Sequence, residues 1–326
     1  MDNYRRSSLN GFTTVSLDRA PHRRRDNQWI AERLKSPSTR IIPLWEMKHF
    51  FTDATVPLML SPSEVGIDVP LLDCVVFLGE EDGQSYFAID LPGPSPLLPE
   101  ETAARGEFRD LRTVFGILDR RDGAILAYSK AIVQWHRRHR FCGDCGSPTV
   151  SSEGGHVRVC TNEDCAQNHF PRTDPAIIVL VSSGDHCLMG RQAVWPKNMY
   201  STLAGFVEPG ESLEDALVRE VMEETSIKVK EVFYHSSQPW PFPGSLMLGF
   251  NARGKMAEIG LNDNELEDAL WFTREEIVSR LRGGTLRLPT PATIAFRLIE
   301  DWFDDGTPGT LRGILGVKSC EKRPSF

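Results

Sequence analysis

Long apolar runs and an excess of positive charge are both missing from this sequence. The longest clear apolar stretch, Ile177–Val181, is far shorter than the roughly 20 residues that a membrane-spanning helix needs. Lys and Arg number 37 against 45 Asp and Glu, so the formal net charge is −8 over 326 residues. These absences argue against a membrane protein and against a protein that coats nucleic acid nonspecifically. A phosphate-bearing substrate stays open, because it needs only local positive charge.

The motifs of several common enzyme classes are missing too. There is no P-loop, no dinucleotide-binding Gly-x-Gly-x-x-Gly and no Gly-x-Ser-x-Gly elbow, so kinase, dehydrogenase and serine-hydrolase functions have no support. The N-terminal segment is rich in Arg, but it contains Asp2, Asp18 and Asp26 and no apolar stretch follows it. This composition is unlike a signal or transit peptide, so we expect a polar lead-in to the first domain and a cytoplasmic protein.

Cysteine is scarce, and four of the seven cysteines are clustered. Cys142 and Cys145 share a Gly-rich turn, and Cys160 and Cys165 form a second, wider pair. Four thiolates make a closed tetrahedral shell for Zn²⁺, so the spacing predicts a structural zinc ribbon. The alternative is four free thiols or a disulfide pair, but clustered thiols in a cysteine-poor chain favour a reducing compartment and a metal.

Strand-like and helical patterns are mixed along the rest of the chain. The predicted strands are at 74–78, 86–89, 176–181, 187–189, 246–250 and 270–272 and near Phe233, and the predicted helices are at about 123–138, 213–225 and 291–301. Such a mixture, with one long amphipathic helix, is typical of an α+β fold.

Three carboxylates, those of Glu220, Glu223 and Glu224, lie on one face of the predicted helix at 213–225. Like charges at i, i+3 and i+4 destabilise a bare helix. Divalent cations offset this repulsion, and oxygen ligands in this number suit Mg²⁺ or Mn²⁺, which in turn suit a phosphate substrate. The alternative is an ordinary exposed acidic face.

The residues around the carboxylates argue against that alternative. Ser212, followed three residues later by Asp215, predicts a capped helix start. Glu211, in the Gly-rich loop before the helix, can pair with Arg219 and fix the loop.

The stretch Gly205-x₅-Glu211-x₇-Arg219-Glu220-Val221-x-Glu223-Glu224-x-Ser226-Ile227 resembles the Nudix box of nucleoside-diphosphate-X hydrolases. It departs at Ser226, where the family prefers glycine for a left-handed helix end, a conformation that Ser adopts at a cost of about 1 kcal/mol. Downstream, Ser237–Ser245 is similar to the array that marks NAD(H) diphosphatases of the NudC type. Taken alone, that array predicts a rigid loop with surface aromatics. Because it lies just downstream of a Nudix box, we interpret it as a rigid wall against which a flat base can pack.

The resemblance implies an α+β fold: a Nudix α/β/α sandwich with a mixed sheet, preceded by a zinc ribbon and a smaller N-terminal α+β domain. We predict an NADH-pyrophosphatase-like N-terminal domain at 1–140, the ribbon at 141–172, the Nudix domain at 173–305 and a C-terminal tail at 306–326. The implied activity is hydrolysis of the pyrophosphate bond of NADH or NAD⁺ to nicotinamide mononucleotide and AMP, with removal of NAD caps from RNA as a second activity. Catalytic Mg²⁺ or Mn²⁺, structural Zn²⁺ and a homodimer are implied as well.

The resemblance also implies roles for individual residues, each assigned where this sequence matches a position of the family's motifs. The catalytic set is Glu220, Glu223, Glu224, Glu265, Arg219 and Glu211. The Mg²⁺ or Mn²⁺ ligands are Glu220, Glu223, Glu224, Glu265 and the carbonyl of Ala204, with Glu267 and Asp268 as rivals of Glu265. The substrate-binding set is Phe170, Phe206, Gln238, Pro239, Trp240, Pro241, Phe242, Pro243, Ser245, Ala295 and Arg112. The rings of Phe170 and Phe206 would enclose a base, with Phe170 supplied by a second subunit; alternatively, Phe170 is a buried anchor of the ribbon. Gly155 stands where an acidic substrate contact can occur.

Two other functions stay open. One is a Nudix hydrolase for another nucleoside diphosphate derivative, against which the array at 237–245 argues. The other is a zinc-ribbon nucleic-acid-binding regulator on an inactive Nudix scaffold. The basic run at 137–140 would serve it, although such a run is more often a solvated face. All box carboxylates are present, which counts against lost activity. For the general base we choose Glu223 or Glu224 without deciding between them.

Overall fold

The structure is a computed structural model of the chain, and it describes residues 2–53, 55–66, 74–94, 98–262, 265–305 and 310–317. The chain divides into two compact units. The ribbon unit comprises Gly11–Asp174 and Pro239–Ser245, and the sandwich unit comprises Met1–Asn10, Pro175–Gln238 and Leu246–Phe326. Much of the tail predicted at 306–326 lies outside the described residues.

The helices and strands of the described residues follow in chain order. They are α1 (Asn3–Ser8), α2 (Asn27–Lys35), β1 (Arg40–Trp45), β2 (Lys48–Phe51), α3 (Pro62–Val65), β3 (Val75–Glu81), β4 (Gln84–Asp90), α4 (Glu100–Ala103), β5 (Glu107–Arg109), α5 (Leu111–Val114), α6 (Arg120–Arg138), β6 (Thr149–Ser152), β7 (Val157–Cys160), β8 (Asn168–His169), β9 (Asp174–Ser183), β10 (His186–Arg191), β11 (Leu203–Phe206), α7 (Leu213–Thr225), β12 (Val229–Trp240), β13 (Ser245–Gly254), β14 (Asp268–Thr273), α8 (Arg274–Arg282), α9 (Ile294–Asp304) and α10 (Leu311–Leu315). No helix within these residues is long and apolar enough to cross a membrane.

The ribbon unit contains a mixed sheet in the order β3-β4-β1-β2-β5. β1 runs parallel to β4, with Arg40 opposite Tyr86 and Leu44 opposite Asp90. The long helix α6 lies against β1, β3 and β4. β6, β7 and β8 form a separate antiparallel sheet that carries the zinc ribbon.

The sandwich unit is built on a sheet in the order β12-β13-β9-β10-β14, with β11 also paired to β9. β9 is apolar on both faces because helices cover both. One face, with Ile177 and Val179, packs in a core with α7; the other, with Ile178 and Leu180, packs in a core with α8 and α9. This layering confirms the predicted α/β/α sandwich.

Two predictions for the chain after α7 need correction. The helix predicted at about 291–301 begins at Ile294, because Thr293 Oγ1 accepts from Phe296 N at 3.2 Å and caps it there. It is not the final helix, since α10 follows. The array at 237–245 is not a rigid loop: it comprises the end of β12, a turn at 241–244 and the start of β13. The sequence also failed to indicate α8, where Ile277 is the one buried residue and the apolar period is weak.

Candidate active site

α7 carries the three predicted metal carboxylates, and local sequence fixes both of its ends. Ser212 Oγ accepts from Asp215 N at 3.1 Å, and Asp215 Oδ2 accepts from Ser212 N at 3.1 Å. At the other end Ser226 takes the left-handed conformation, with φ of 61°. Its hydroxyl accepts from Asn262 Nδ2 at 2.7 Å, a bond that glycine could not form and that offsets the backbone strain of about 1 kcal/mol.

The three carboxylates differ in exposure. Glu223 is exposed, Glu220 is half-buried and Glu224 is 2% exposed. The carboxylate of Glu220 lies directly against Gly205 of β11, so closely that a Cβ on Gly205 would fall 1.9 Å from Glu220 Cδ. A side chain at position 205 would therefore displace the Glu220 carboxylate from this place.

Arg219 binds three carboxylates and one carbonyl oxygen. Its Nε and Nη2 donate to Glu211 at 2.6 and 2.9 Å, and its Nη1 donates to Glu220 at 2.9 Å and to Glu223 at 3.0 Å. Nη2 also donates to Phe206 O at 2.9 Å. The pairing of Glu211 with Arg219 indicated by the sequence is present, and it fastens the Gly-rich loop to the helix.

Burial and the neighbouring charges shift the pKa values of two carboxylates in this cluster, those of Glu211 and Glu220. Hydrogen bonds from Arg219 hold the pKa of Glu211 at about 2. Burial raises the pKa of Glu220, and the negative charges of Glu223 and Glu265 raise that pKa further against the opposing effect of Arg219. Glu265 comes from a separate loop, and its negative charge acts on Glu220 through space.

The two rivals of Glu265 have other partners. Glu267 forms an ion pair with Arg191, and its backbone N donates to Arg191 O at 2.9 Å. Asp268 Oδ2 accepts from the hydroxyl of Tyr200 at 2.5 Å. These contacts favour Glu265 as the acid that joins the helix carboxylates.

A small cavity of about 50 Å³ lies beside Glu224. Its lining consists of Gly190, Gln192, Trp195, Thr202, Leu203, Ala204, Glu224 and Leu266. The cavity brings the buried carboxylate of Glu224 to the same space as Ala204, whose carbonyl the family resemblance assigns to a metal. No sequence motif marks Gln192, Trp195 or Thr202, because their approach to Glu224 depends on strand pairing.

The oxygen atoms of the helix carboxylates, Glu265 and the Ala204 carbonyl are chemically suited to a divalent cation. Carboxylates and a backbone carbonyl are the oxygen ligands that Mg²⁺ and Mn²⁺ prefer. The helix carboxylates do not converge on one point. Within the described residues, the ribbon cysteines are the one group of three or more candidate metal-binding side chains whose ligand atoms come together, all within 4.8 Å of one another. Arg219 contacts both Glu220 and Glu223 instead, so closing the ligand shell would require these side chains to rotate.

Three predicted substrate residues of the sandwich unit lie in different environments. Gln238 is fully buried and holds the start of α9: its Oε1 accepts from Ile294 N at 2.8 Å and its Nε2 donates to Ala292 O at 2.9 Å. Ala295 is buried in the first turn of α9, whereas Phe206 at the end of β11 is 57% exposed. Gln238 therefore sets the position of Ala295, and Phe206 presents its ring to solvent.

Aromatic and cationic side chains gather in the ribbon unit. The ring centroids of Trp240 and Phe242 are 5.1 Å apart, and the guanidinium carbon of Arg112 lies 4.6 Å from the Phe242 centroid. Trp240 also meets Phe115 edge-on at 5.6 Å and Phe12 at 6.3 Å. Phe12 and Phe115 are buried, and Trp240 and Phe242 are half-buried, so these rings form a packed cluster rather than surface aromatics. The remaining array members are Pro239 and Pro243, both exposed, and Pro241 and Ser245, both buried.

Phe170 follows the last ribbon strand and is 59% exposed. It borders a cavity of about 140 Å³ whose lining is His139, Asn168, His169, Phe170, Pro171 and Arg172. The alternative that Phe170 is a buried anchor of the ribbon is therefore wrong, and its ring is available for stacking.

The four ribbon cysteines fit a zinc ion. Their sulfur atoms lie within 4.8 Å of one another, with Cys142 and Cys165 3.8 Å apart and Cys145 and Cys160 3.4 Å apart. A tetrahedral shell with Zn–S bonds of about 2.3 Å has edges of about 3.8 Å. None of the four forms a disulfide, which removes the disulfide alternative, and the convergence of the four sulfur atoms favours a metal over four unrelated thiols.

A buried arginine ties the ribbon to the end of α6, a contact that the sequence did not indicate. Arg158 is 6% exposed and donates to His136 Nδ1 at 2.9 Å, to His139 O at 2.9 Å and to Thr149 O at 2.7 Å. His136 Nε2 in turn donates to Gly155 O at 2.7 Å. The imidazole is thereby held neutral, with one nitrogen donating and the other accepting.

Gly155 lacks a side chain for a packing reason. It has φ of +91°, and a Cβ would fall 2.9 Å from Val76 Cα in β3. An acidic side chain could not fit here.

Comparison with known proteins identifies the chain. Residues 171–289 match the model of the NUDIX domain, residues 38–135 that of the NADH pyrophosphatase-like rudimentary NUDIX domain, and residues 137–170 that of the NADH pyrophosphatase zinc ribbon domain. With the box helix and its carboxylates, these matches define a Nudix hydrolase. The chain belongs to the NADH pyrophosphatase type of that family.

Relatives support this placement across most of the chain. The NAD-capped RNA hydrolase NUDT12 of Macaca fascicularis is 34% identical over 90% of this chain and 73% of its own. The human mitochondrial NAD(P)H pyrophosphatase NUDT13 is 37% identical over 76% of each chain. The NAD-capped RNA hydrolase NudC of Mycobacterium bovis is 40% identical over 70% of this chain and 74% of its own.

Proposed function

We propose that this protein hydrolyses the pyrophosphate bond of NADH and NAD⁺. Water adds to one phosphorus and the bridging oxygen leaves with the other, so the products are AMP and nicotinamide mononucleotide in its reduced or oxidised form. The observation that carries the proposal is the placement of Glu224 and Ala204 on one cavity beside the Glu220–Gly205 contact, in a chain whose relatives are named for NAD(P)H and NAD-capped RNA.

Each residue of the centre has a role in this proposal. Glu220, Glu223, Glu224, Glu265 and the Ala204 carbonyl would hold the divalent cation, for which Mg²⁺ and Mn²⁺ are the candidates. When bound, such a cation neutralises phosphate charge and lowers the pKa of coordinated water. Glu223 or Glu224 takes the proton of the attacking water. Arg219 keeps the carboxylates and the Gly-rich loop in place through its hydrogen bonds.

The substrate contacts carried over from the family stay part of the proposal. Phe206 would stack on a base at the end of β11, and Arg112 with the Trp240–Phe242 cluster supplies a cation beside aromatic faces. We also propose a two-fold homodimer in which Phe170 of one chain stacks on the base bound by the other. The exposure of Phe170 is compatible with this idea, because its ring is free to stack on a base.

A second activity is removal of the NAD cap from RNA, because the same bond is present there. The regulator alternative has less support. In the basic run at 137–140, Arg137 donates from Nε and Nη2 to Asp90, both at 2.6 Å, so this charge is partly neutralised within the protein. The predicted domain limits remain a proposal as well, which limited proteolysis near residues 140 and 172 would test.

Product analysis tests the function. Purified protein is incubated with NADH, NAD⁺, ADP-ribose or NAD-capped RNA, with Mg²⁺ or Mn²⁺, and the products are separated by chromatography and identified by mass. We expect mononucleotide and AMP from the dinucleotides, and RNA with a 5′ monophosphate from capped RNA. Glu214→Gln is the matched control, because Glu214 is an exposed acid of the same helix. Faster turnover of ADP-ribose than of NADH under both metals would contradict the proposal.

A further inference from the structure

Thr202 differs from the other buried threonines of the described residues. Four of these donate their hydroxyl to a backbone carbonyl: Thr39 to Arg33, Thr102 to Glu64, Thr149 to His139 and Thr225 to Val221. Thr202 is 4% exposed, yet its Oγ1 is buried and has no hydrogen-bond partner within the described part of the chain. A buried hydroxyl without a partner is unfavourable and needs a reason.

The place of Thr202 supplies that reason. It lines the cavity of about 50 Å³ that Glu224 and Ala204 also line. A cavity of that size has room for ordered water, which needs only about 10–15 Å³. The backbone beside Thr202 is held firmly, because Ser201 and Gly190 exchange two hydrogen bonds of 2.9 Å.

We propose that Thr202 is a positioning residue of the hydrolytic centre. Its hydroxyl binds water in the cavity, and through that water it fixes the carboxylate of Glu224 in the orientation that binds the divalent cation. This inference rests on the proposed function for its catalytic consequence, but not for its effect on metal affinity. Residues that orient a metal ligand in this way typically change affinity or activity 10- to 100-fold when they are removed.

Three variants test the role of the hydroxyl. Thr202→Val keeps the shape and removes the hydroxyl, Thr202→Ser keeps the hydroxyl, and Thr225→Val removes a buried hydroxyl that already has a backbone partner. The readouts are the Mn²⁺ dissociation constant from electron paramagnetic resonance, the thermal unfolding midpoint without Mg²⁺ or Mn²⁺, and kcat and KM with NADH.

We expect Thr202→Val to bind Mn²⁺ about 10-fold more weakly and to lower kcat about 10-fold at fixed metal, with KM for NADH little changed. Its unfolding midpoint without Mg²⁺ or Mn²⁺ should not fall, because the hydroxyl bonds water rather than another protein group and valine fills the same space. Thr202→Ser should restore Mn²⁺ affinity, and Thr225→Val should leave it unchanged.

Three results would overturn the inference: wild-type Mn²⁺ affinity in Thr202→Val, no recovery in Thr202→Ser, or a lowered unfolding midpoint in Thr202→Val, which would indicate a structural role. Failure of the proposed function gives a different pattern. If wild-type protein binds Mn²⁺ and leaves NADH intact, the function is wrong, while the Mn²⁺ affinities of the variants still decide the role of Thr202.

Discussion

Arg219 and Glu211, eight residues apart in the sequence, form a two-pronged ion pair. Nε lies 2.6 Å from Oε1 and Nη2 lies 2.9 Å from Oε2. Glu211 Oε2 also accepts from Glu208 N at 2.9 Å. One planar guanidinium thus connects the Gly-rich loop to the helix that carries the metal carboxylates, which a point charge could not do in the same way.

Arg219→Lys tests this connection. Lysine keeps the charge but cannot make the paired bonds, so we expect kcat for NADH to fall at least about 10-fold. Loss of folding should be small, because lysine keeps the positive charge beside the carboxylates. Steady-state kinetics and thermal unfolding check both expectations. Arg253→Lys, at the exposed pair with Glu231, is the control, and unchanged kinetics in Arg219→Lys would count against the role of the pair.

Glu224→Gln removes one ligand charge while keeping the shape of the side chain. We expect activity to fall at least about 100-fold, because the buried carboxylate is assigned to the cation. The folded state should persist, since one of three crowded negative charges is removed. Turnover of NADH at saturating Mg²⁺ tests the assignment of Glu224 to the cation, and circular dichroism checks that the variant is folded. Near wild-type turnover would show that the assignment is wrong.

Removal of zinc should unfold the ribbon. We expect about one tightly bound zinc per chain, and we expect Cys142→Ser to destabilise or aggregate the protein, because metal binding and folding are coupled in such ribbons. Elemental analysis of the purified protein and thermal unfolding with a chelator measure this. Cys187→Ser, at a buried thiol of the sandwich unit, is a control whose zinc content should stay unchanged. Protein that contains neither zinc nor iron would contradict the prediction.

Mild acid should destabilise the ribbon unit through its buried histidines. Burial lowers the pKa of His136 and of His156 to about 4, and that of His49 to about 3, from a value of 6.5. Between pH 6.5, the pKa of histidine in the unfolded chain, and pH 4, the pKa of His136 and His156 in the folded protein, the unfolded chain binds more protons than the folded one. The free energy of unfolding therefore falls as pH drops from about 6.5 to about 4. Above pH 6.5 the contribution of these neutral histidines to the free energy of unfolding is fully present.

Urea unfolding of zinc-loaded protein across this range measures the effect. In His136→Asn, which cannot take up the proton, the decline with pH should be shallower, whereas the exposed control His22→Asn should follow the wild type. A midpoint that does not change between pH 6.5 and pH 4.5 would refute the expectation.

Complementation tests the proposed homodimer. Phe170→Ala subunits are mixed with inactive Glu224→Gln subunits. If Phe170 acts on the partner's site, the mixed dimer has one site with both defects and one with neither, so activity should recover to about half per dimer. Absence of recovery, or a monomer in sedimentation, would remove the shared-site idea and leave the hydrolase assignment intact.

Local patterns made much of this molecule predictable. The helix at 213–225 was predicted with its N-cap, its pairing of Glu211 with Arg219 and its unusual Ser226 end, because all of these depend on contacts within a few residues. The cysteine spacing likewise predicted the ribbon. The start of α9, the helix α8 and the conformation of the array at 237–245 were not predicted correctly, because capping and strand pairing outweighed the simple residue pattern there.

The sequence by itself determined the class of the protein, since the box and the cysteine pairs are short-range motifs and their resemblance to the family is carried by residues close together in the chain. Only the tertiary structure decided which groups come together from distant segments. Glu220 meets Gly205, Thr202 shares a cavity with Glu224, and Gly155 packs against Val76. Each of these contacts depends on strand pairing and close packing between elements far apart in the chain, and sequence periodicity carries no information about such distances.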